Sequence, residues 1–350
     1  MNFGQPRVFV LTNLNSQRGI VSAQLLCQLA QEEGMPLAKM LQNSGISMAT
    51  LGNPHSRILA RQELQLIQNL MASLPYCAGL GIRLGQRYRL ANYGVFGFGL
   101  SSSATLQEAA LFGLRFMGLS YAFSQFELRF TREKVQVHFN AKNLPLAVQS
   151  FVIERDMSAL MSLVHEVTGK KQGCANVCFV HENKNDAQWA VEHFGVLPQF
   201  GAQANMAEMA LTVFTQALPQ ADVVTHQACV SECEALLVEL RQRQGWPERV
   251  RDTIERHFQS HHSVSMDAVA KELFVSSRTL RRHLEVQGTS FRQLLDEIRE
   301  LKAKALLREK QHSVKAIAEQ LGYQEPASFV HAFKRWVGMP PAKWRDQVHD

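Results

Sequence analysis

The chain has 350 residues, 46% apolar and 19% charged, the profile of a soluble globular protein with more length than one typical domain needs. No run approaches the roughly 18 apolar residues of a membrane-spanning helix, and the opening "MNFGQPRVFVLTNLN" lacks the basic-then-apolar order of a secretory leader, so a cytoplasmic protein with no membrane role is expected. The net charge of +6 is unevenly placed: from Arg241 onward there are 20 Lys and Arg against 14 Asp and Glu, whereas the first 240 residues hold 17 of each. A basic module joined to a neutral one points to a polyanionic partner, nucleic acid first.

In chain order, "RGIVSAQLLCQLAQEEGMPLAKMLQNSG" (18–45) predicts two short helices split by Gly34, with Pro36 opening the second, and "SRILARQELQLIQNLMASL" (56–74) predicts a third. "GIRLGQRYRLANYGVFGFGLSSS" (81–103) alternates enough for two strands. Its glycines lack the lysine of a phosphate-gripping loop and the order of a dinucleotide fingerprint, so close strand packing is their expected role. Further strands are expected at 120–130, 133–140 and 176–182, and helices at 104–117, 145–168, 183–194, 203–216 and 223–243, an α+β layout.

Tyr93, Phe96, Phe98, Phe116, Tyr121, Phe123 and Phe126 form an aromatic concentration, either ordinary core or the wall of a small-molecule pocket. Tyr93, Phe96, Phe98, Phe116 and Tyr121 are the candidate effector contacts. His165, His181 and His193 lack metal-binding spacing. Besides Cys27 and Cys77, the cysteines form pairs, Cys174/Cys178 and Cys229/Cys233, with three residues between members, unlike the C-x2-C hooks of zinc sites. Buried thiols fit them better than a metal or redox site. No metal, cofactor or catalytic residue is expected.

The basic third contains an internal repeat. "SMDAVAKELFVSSRTLRRHL" (265–284) parallels "SVKAIAEQLGYQEPASFVHAF" (313–333), 48 residues on. Each copy opens on a serine suited to cap a helix, Ser265 and Ser313. Inward positions follow at helical spacing: Met266, Val269, Ala270 and Leu273, then Val314, Ile317, Ala318 and Leu321. A tight turn leads to a second short helix whose buried side is Leu280 and Leu284 in one copy, Phe329 and Phe333 in the other. Gly288 and Gly338 are placed to end those helices. This is a helix-turn-helix, twice, with motifs at about 265–286 and 313–337. The free side of each second helix is suited to a DNA major groove. It carries Arg278, Arg281 and Arg282 in the first copy, and Ser328, His331 and Arg335 in the second with Gln324 and Glu325 at the tip. Lys334, nearer the helix end, is placed for phosphate. Between the copies, "SFRQLLDEIRELKAKALLREKQ" predicts one linker helix with Leu294, Leu295, Ile298, Leu301, Ala305 and Leu306 on its apolar side.

The region from about Pro247 to Arg345 resembles the DNA-binding domain of the AraC/XylS family of bacterial transcription regulators. The resemblance rests on "RTLRRHL", "GTSF" (288–291), "AIAEQLGYQEPASFVHAFKRW" and "GMPPAKWR" (338–345). It implies that Arg278, Arg281 and Arg282 face DNA in the first motif, and Gln324, Glu325, Ala327, Ser328 and His331 in the second. One residue departs from the pattern: Phe274 stands at a turn position where glycine is common, which implies a first turn shaped differently from the second. Residues 18–218 resemble more faintly the arabinose-binding-type N-terminal domain of one branch, through "GLGIRLGQRYRLANYGVFGFGLSSSATLQEAA" and "HFGVLPQFGAQANMAEMAL".

The expected architecture is therefore an α+β N-terminal sensor or dimerisation domain (1–244) and an all-α C-terminal domain (245–350) with two helix-turn-helix motifs joined by a linker helix, "WP" at Trp246-Pro247 breaking the chain between them. The resemblance implies a transcription regulator, an activator rather than a repressor, with double-stranded promoter DNA and RNA polymerase as partners, a small-molecule effector and a homodimer. An architectural DNA binder without an effector is the alternative. DNA-repair methyltransferases carry similar motif pairs, but no cysteine here is followed by His and Arg, and Cys77 sits in "PYCAGL".

Overall fold

From the N-terminus the chain runs through β1 (Arg7–Phe9), β2 (Gln17–Gly19), α1 (Val21–Glu32), α2 (Leu37–Met40), α3 (Met48–Gly52), β3 (Arg57–Leu59), α4 (Ala60–Ser73), α5 (Leu80–Gly85), α6 (Val95–Ser101) and α7 (Leu106–Arg115). There follow β4 (Gln125–Phe130), β5 (Lys134–Asn140), α8 (Leu146–Thr168), β6 (Asn176–Cys178), α9 (Val191–Phe194), β7 (Asn205–Ala210), α10 (Leu211–Thr215) and α11 (Val223–Arg243). The last third is helical: α12 (Trp246–Gln259), α13 (Met266–Glu272), α14 (Ser277–Val286), α15 (Phe291–Arg308), α16 (Val314–Gln320), α17 (Pro326–Val337) and α18 (Pro341–His349). This computed structural model describes residues 7–9, 14–74, 79–182, 190–243, 245–259, 264–308 and 312–349. It divides into units 1–240 and 241–350.

In the N-terminal unit an antiparallel sheet of order β1-β4-β5-β7-β6 carries its apolar face toward the helices. Leu128 pairs with Val137, and Val137 with Ala207, so alternate residues of three strands share that face. The long helix α8 is buried through most of its length.

Two predicted segments are of the other kind. Residues 81–103 are not strands but α5, a 3-10 turn at Leu90–Tyr93 and α6. Gly81 and Gly85 stand four apart on one face of α5, and a Cβ on either would collide with the backbone of α8. The glycines do serve close packing, but between helices. Residues 203–216 are strand β7 followed by the short α10. "NMAEMA" has good helix formers, but as a central strand it pairs with β5 on one side and β6 on the other, and that pairing outweighs local propensity. Of the helix expected at 183–194, Val191–Phe194 is helical and 183–189 lie outside the described residues.

The C-terminal unit has two small cores. One gathers Val250, Ile254, Val269, Ala270, Leu280 and Leu284, the other Ile317, Ala318, Leu321, Phe329 and Phe333. Trp246-Pro247 opens α12 rather than leaving the chain broken, since proline is tolerated in a helix's first turn. The linker helix α15 serves both cores, with Leu294, Leu295 and Ile298 in the first and Ala303 and Leu307 in the second. At 100° per residue these two sets face directions roughly 150° apart. Leu301, expected on the apolar side, continues the first face beyond its core and is 60% exposed. Leu306 packs against the second core from a half-buried position, and the side chain of Ala305 lies outside the described residues.

Candidate nucleic-acid interface and ligand cavity

Both motifs are built by the same local devices. Ser265 and Ser313 accept the N–H of Ala268 and Ala316, each at 3.1 Å, capping α13 and α16. The buried Ala270 and Ala318 let the second helix cross close above. The turn then needs one left-handed residue. Gly322 supplies it at φ 76° in the second motif, and Phe274 adopts it at φ 57° in the first. The first turn is therefore not reshaped by its bulky residue, contrary to the expectation. Phe274 stays left-handed with its ring 96% exposed.

Helix α14 starts at Ser276, whose hydroxyl accepts the N–H of Thr279 at 3.1 Å. Leu280 and Leu284 are fully buried, which aims Arg278, Arg281 and Arg282 outward, all exposed. None of the three has an ion-pair partner among the described residues. His283, between the buried and exposed sides, stacks on Trp246 with centroids 4.3 Å apart and planes 5° from parallel. Arg249 lies over the same indole. This stack fixes the rotation of α14 about its axis.

Helix α17 begins with Pro326 at its first turn and ends at the left-handed Gly338. Phe329 and Phe333 are fully buried, and Trp344 of α18 meets Phe333 edge-on at 5.9 Å. Burying each such ring contributes about 1.5–3 kcal/mol, so the helix needs only one apolar side. Gln324, Glu325, Ala327, Ser328, His331 and Lys334 are left exposed. Arg335 is exposed too, but it bonds Asp296 of the linker helix at 2.9 Å, which ties α17 to α15. Arg299 ties the end of α16 to the same linker helix, donating to the carbonyl of Leu321 at 3.0 Å.

In the N-terminal unit, a cavity of about 120 Å³ lies among the sheet, α6, α7 and α8. Phe126, Leu128 and Val137 form the sheet wall, and Ala159 and Leu163 the wall of α8. Tyr93, Phe96 and Tyr121 border it as well. At one end stands a buried cluster of Arg18, Glu63, Arg155 and Asp156, with Arg155 only 1% exposed.

Residues 34–218 match the family described as the arabinose-binding domain of AraC transcription regulator, N-terminal, and residues 269–347 match a helix-turn-helix domain family. Over 335 residues the chain is 32% identical to a helix-turn-helix-type transcriptional regulator of Mycobacterium tuberculosis, covering 93% of this chain and 95% of that one. The chain belongs to the AraC family of transcription regulators. It is also 29% identical over 332 residues to the ornithine utilization regulator of Pseudomonas aeruginosa, covering 93% of this chain and 96% of the relative.

In this AraC-type regulator the ten residues singled out for DNA contact all lie on the two second helices or at their N-terminal tips, and all are exposed. The effector candidates divide. Tyr93, Phe96 and Tyr121 border the cavity, as does Phe126. Phe98 is 66% exposed and lies outside the lining, while Phe116 is buried against Phe112 at 4.8 Å, also outside it. Phe123 lies beneath the guanidiniums of Arg18 and Arg155, at 4.2 and 5.2 Å. The α8 wall was not legible in advance, because Ala159 and Leu163 look like any inward helix positions. The cysteines Cys27, Cys174, Cys178, Cys229 and Cys233 are buried and unpaired, Cys77 lying outside the described residues. Burial pushes the thiols of Cys27 and Cys174 up to about 12, the reverse of a reactive cysteine.

Proposed function

We propose that this regulator activates transcription in the cytoplasm by reading promoter DNA with α14 and α17 in successive major grooves, under control of a small molecule held in the N-terminal cavity. The observation that carries the reading is the pairing of two recognition helices, each backed by its own core, on one linker helix. Arg278, Arg281 and Arg282 read bases from the first helix, arginine's planar fork being suited to guanine O6 and N7. Gln324, Glu325, Ala327, Ser328 and His331 read from the second, and Lys334 holds phosphate. Successive grooves lie about 34 Å apart on one face of B-DNA. The effector acts by favouring one domain arrangement over another, and a homodimer presenting two copies to neighbouring sites recruits RNA polymerase.

The test maps bound sites across the genome, then compares transcription from those promoters under the full chain and under residues 241–350. Both cores and the linker helix lie within that fragment, so it is expected to fold and keep the same preferred sequence while losing the response to growth conditions. Absence of any preferred site would favour an architectural binder. Identical regulation by both forms would remove the effector.

A further inference from the structure

The cavity of the N-terminal unit is bordered by groups that give a sugar nothing to bind. Phe126, Leu128, Val137, Ala159 and Leu163 offer neither donor nor acceptor from their side chains. The polar groups at its edge are already engaged. Arg155 gives Nε and Nη2 to Asp156 at 2.8 and 2.6 Å, and Nη1 to Glu63 at 3.2 Å. The second oxygen of Asp156 accepts the N–H groups of Phe123 and Ser124 and the hydroxyl of Ser124. Glu63 also pairs with Arg18 at 3.3 Å. Two guanidiniums and two carboxylates thus cancel within the cluster, and no net charge faces the cavity. Ser22 occupies the hydroxyl of Tyr88, and Tyr121 donates to the carbonyl of Asn92 at 3.0 Å. Ser120 donates to the sulfur of Met117 and accepts from Ala122, both at 3.3 Å.

Arg18 Nε, buried in the cluster, has no hydrogen-bond partner among the described residues, but Arg18 does not border the cavity. Among the residues that do, Tyr93 is the exception. Its hydroxyl has no hydrogen-bond partner among the described residues, while its ring packs on Tyr121 at 5.2 Å and on Phe96 at 5.8 Å. Burial holds its phenol well above the ordinary value, so it is a donor at any physiological pH. We propose that the cavity binds a compact, neutral, apolar molecule of about one six-membered ring, carrying a single acceptor that takes the Tyr93 proton in a hydrogen bond, and that it rejects sugars. This rests on the reading of the cavity as the effector site. An apolar cavity of roughly 150 Å³ holds benzene, and the volume here, about 120 Å³, is close to that. A pentose would bring several hydroxyls to walls that pair with none, each lowering affinity roughly ten-fold or more.

The experiment titrates the full chain with toluene, acetophenone and L-arabinose by calorimetry and thermal shift. Toluene and acetophenone are expected to bind and raise the melting temperature, acetophenone about 2–10-fold more tightly through its one acceptor. Tyr93→Phe should abolish that advantage and leave toluene unchanged. Ala159→Phe should fill the cavity and abolish both. Should that variant fail to fold, Gly113→Leu serves, since a Cβ there meets only Leu100 at an ordinary 3.5 Å. Binding of L-arabinose that is lost in the filled variant would overturn the proposed ligand class while leaving the cavity as an effector site. Failure of both apolar probes to bind, or binding indifferent to filling, would overturn the proposal outright, and the comparison of full chain with fragment would then judge the effector reading separately. An acetophenone advantage that survives in Tyr93→Phe would remove Tyr93 as the donor.

Discussion

Phe274 and Gly322 hold the same position in the two turns, and both are left-handed, at φ 57° and 76°. For glycine that conformation is free of strain, whereas an L-residue with a side chain bears about 1–2 kcal/mol there. Phe274 recovers nothing by packing, being 96% exposed. Phe274→Gly is therefore expected to stabilise residues 241–350 by about 1 kcal/mol, after the larger entropy of an unfolded glycine is subtracted. Denaturant unfolding measures it, and a loss of stability would mean that the ring has a partner.

The two recognition helices should be separable by substitution. Arg281→Ala is expected to remove about 1–3 kcal/mol of discrimination at one or two base pairs. His331→Ala should act on different base pairs, about one helical turn away. Lys334→Ala should weaken all sequences alike and reduce the salt slope by about one. Binding to a library of single-base variants at two salt concentrations reads all three. A uniform effect of Arg281→Ala would show the facing of α14 to be wrong.

Glu255 of α12 gives the C-terminal unit a pH dependence. Burial, with a smaller contribution from neighbouring Asp252, raises its carboxyl to about 6, above the ordinary 4.5. The folded state therefore holds a proton that the unfolded chain releases, and this group's stabilising contribution is complete below about pH 4.5 and lost as pH rises through 6. Glu255→Gln should accordingly stabilise the unit at pH 7.5, by about 1–2 kcal/mol, with the gain shrinking to nothing near pH 4.5. Lys302, which attracts the ionised form, remains in both proteins. Melting temperatures of wild type and variant across that range are the check, and a gain that grew toward acid pH would contradict the assignment.

Two glycines of the N-terminal unit should respond oppositely to the same change. A Cβ at Gly85 of α5 would collide with the backbone of α8, which cannot move aside as a side chain can. Gly85→Ala is expected to destabilise by about 1–3 kcal/mol or more. Gly113→Ala places its methyl against Leu100 alone at 3.5 Å, and should be neutral or stabilising by up to about 1 kcal/mol through helix propensity. Thermal unfolding of the pair would distinguish a helix contact at α5 from general intolerance of alanine.

The helix-turn-helix repeat was legible in the amino-acid order because each device in it is local. A serine cap, apolar residues at 3.6 spacing, a left-handed turn residue and a helix-ending glycine all act within about twenty residues of one another. The N-terminal unit was legible only where periodicity and environment agree, as along β4, β5 and α8. At 81–103 glycine spacing fits strands and helices equally, and the tertiary contacts decide for helix: α8 closes on Gly81 and Gly85, Leu90 on Gly97 and Phe112 on Gly99. At 205–210 helix-forming residues become a central strand because β5 and β6 lie on either side with unpaired backbone groups. The cavity belongs to the same class. Tyr93, Leu128 and Ala159 are far apart in the chain, and nothing local distinguishes a side chain that fills a core from one that borders a space. That distinction depends on where facing elements stop short of contact, which only the tertiary arrangement specifies.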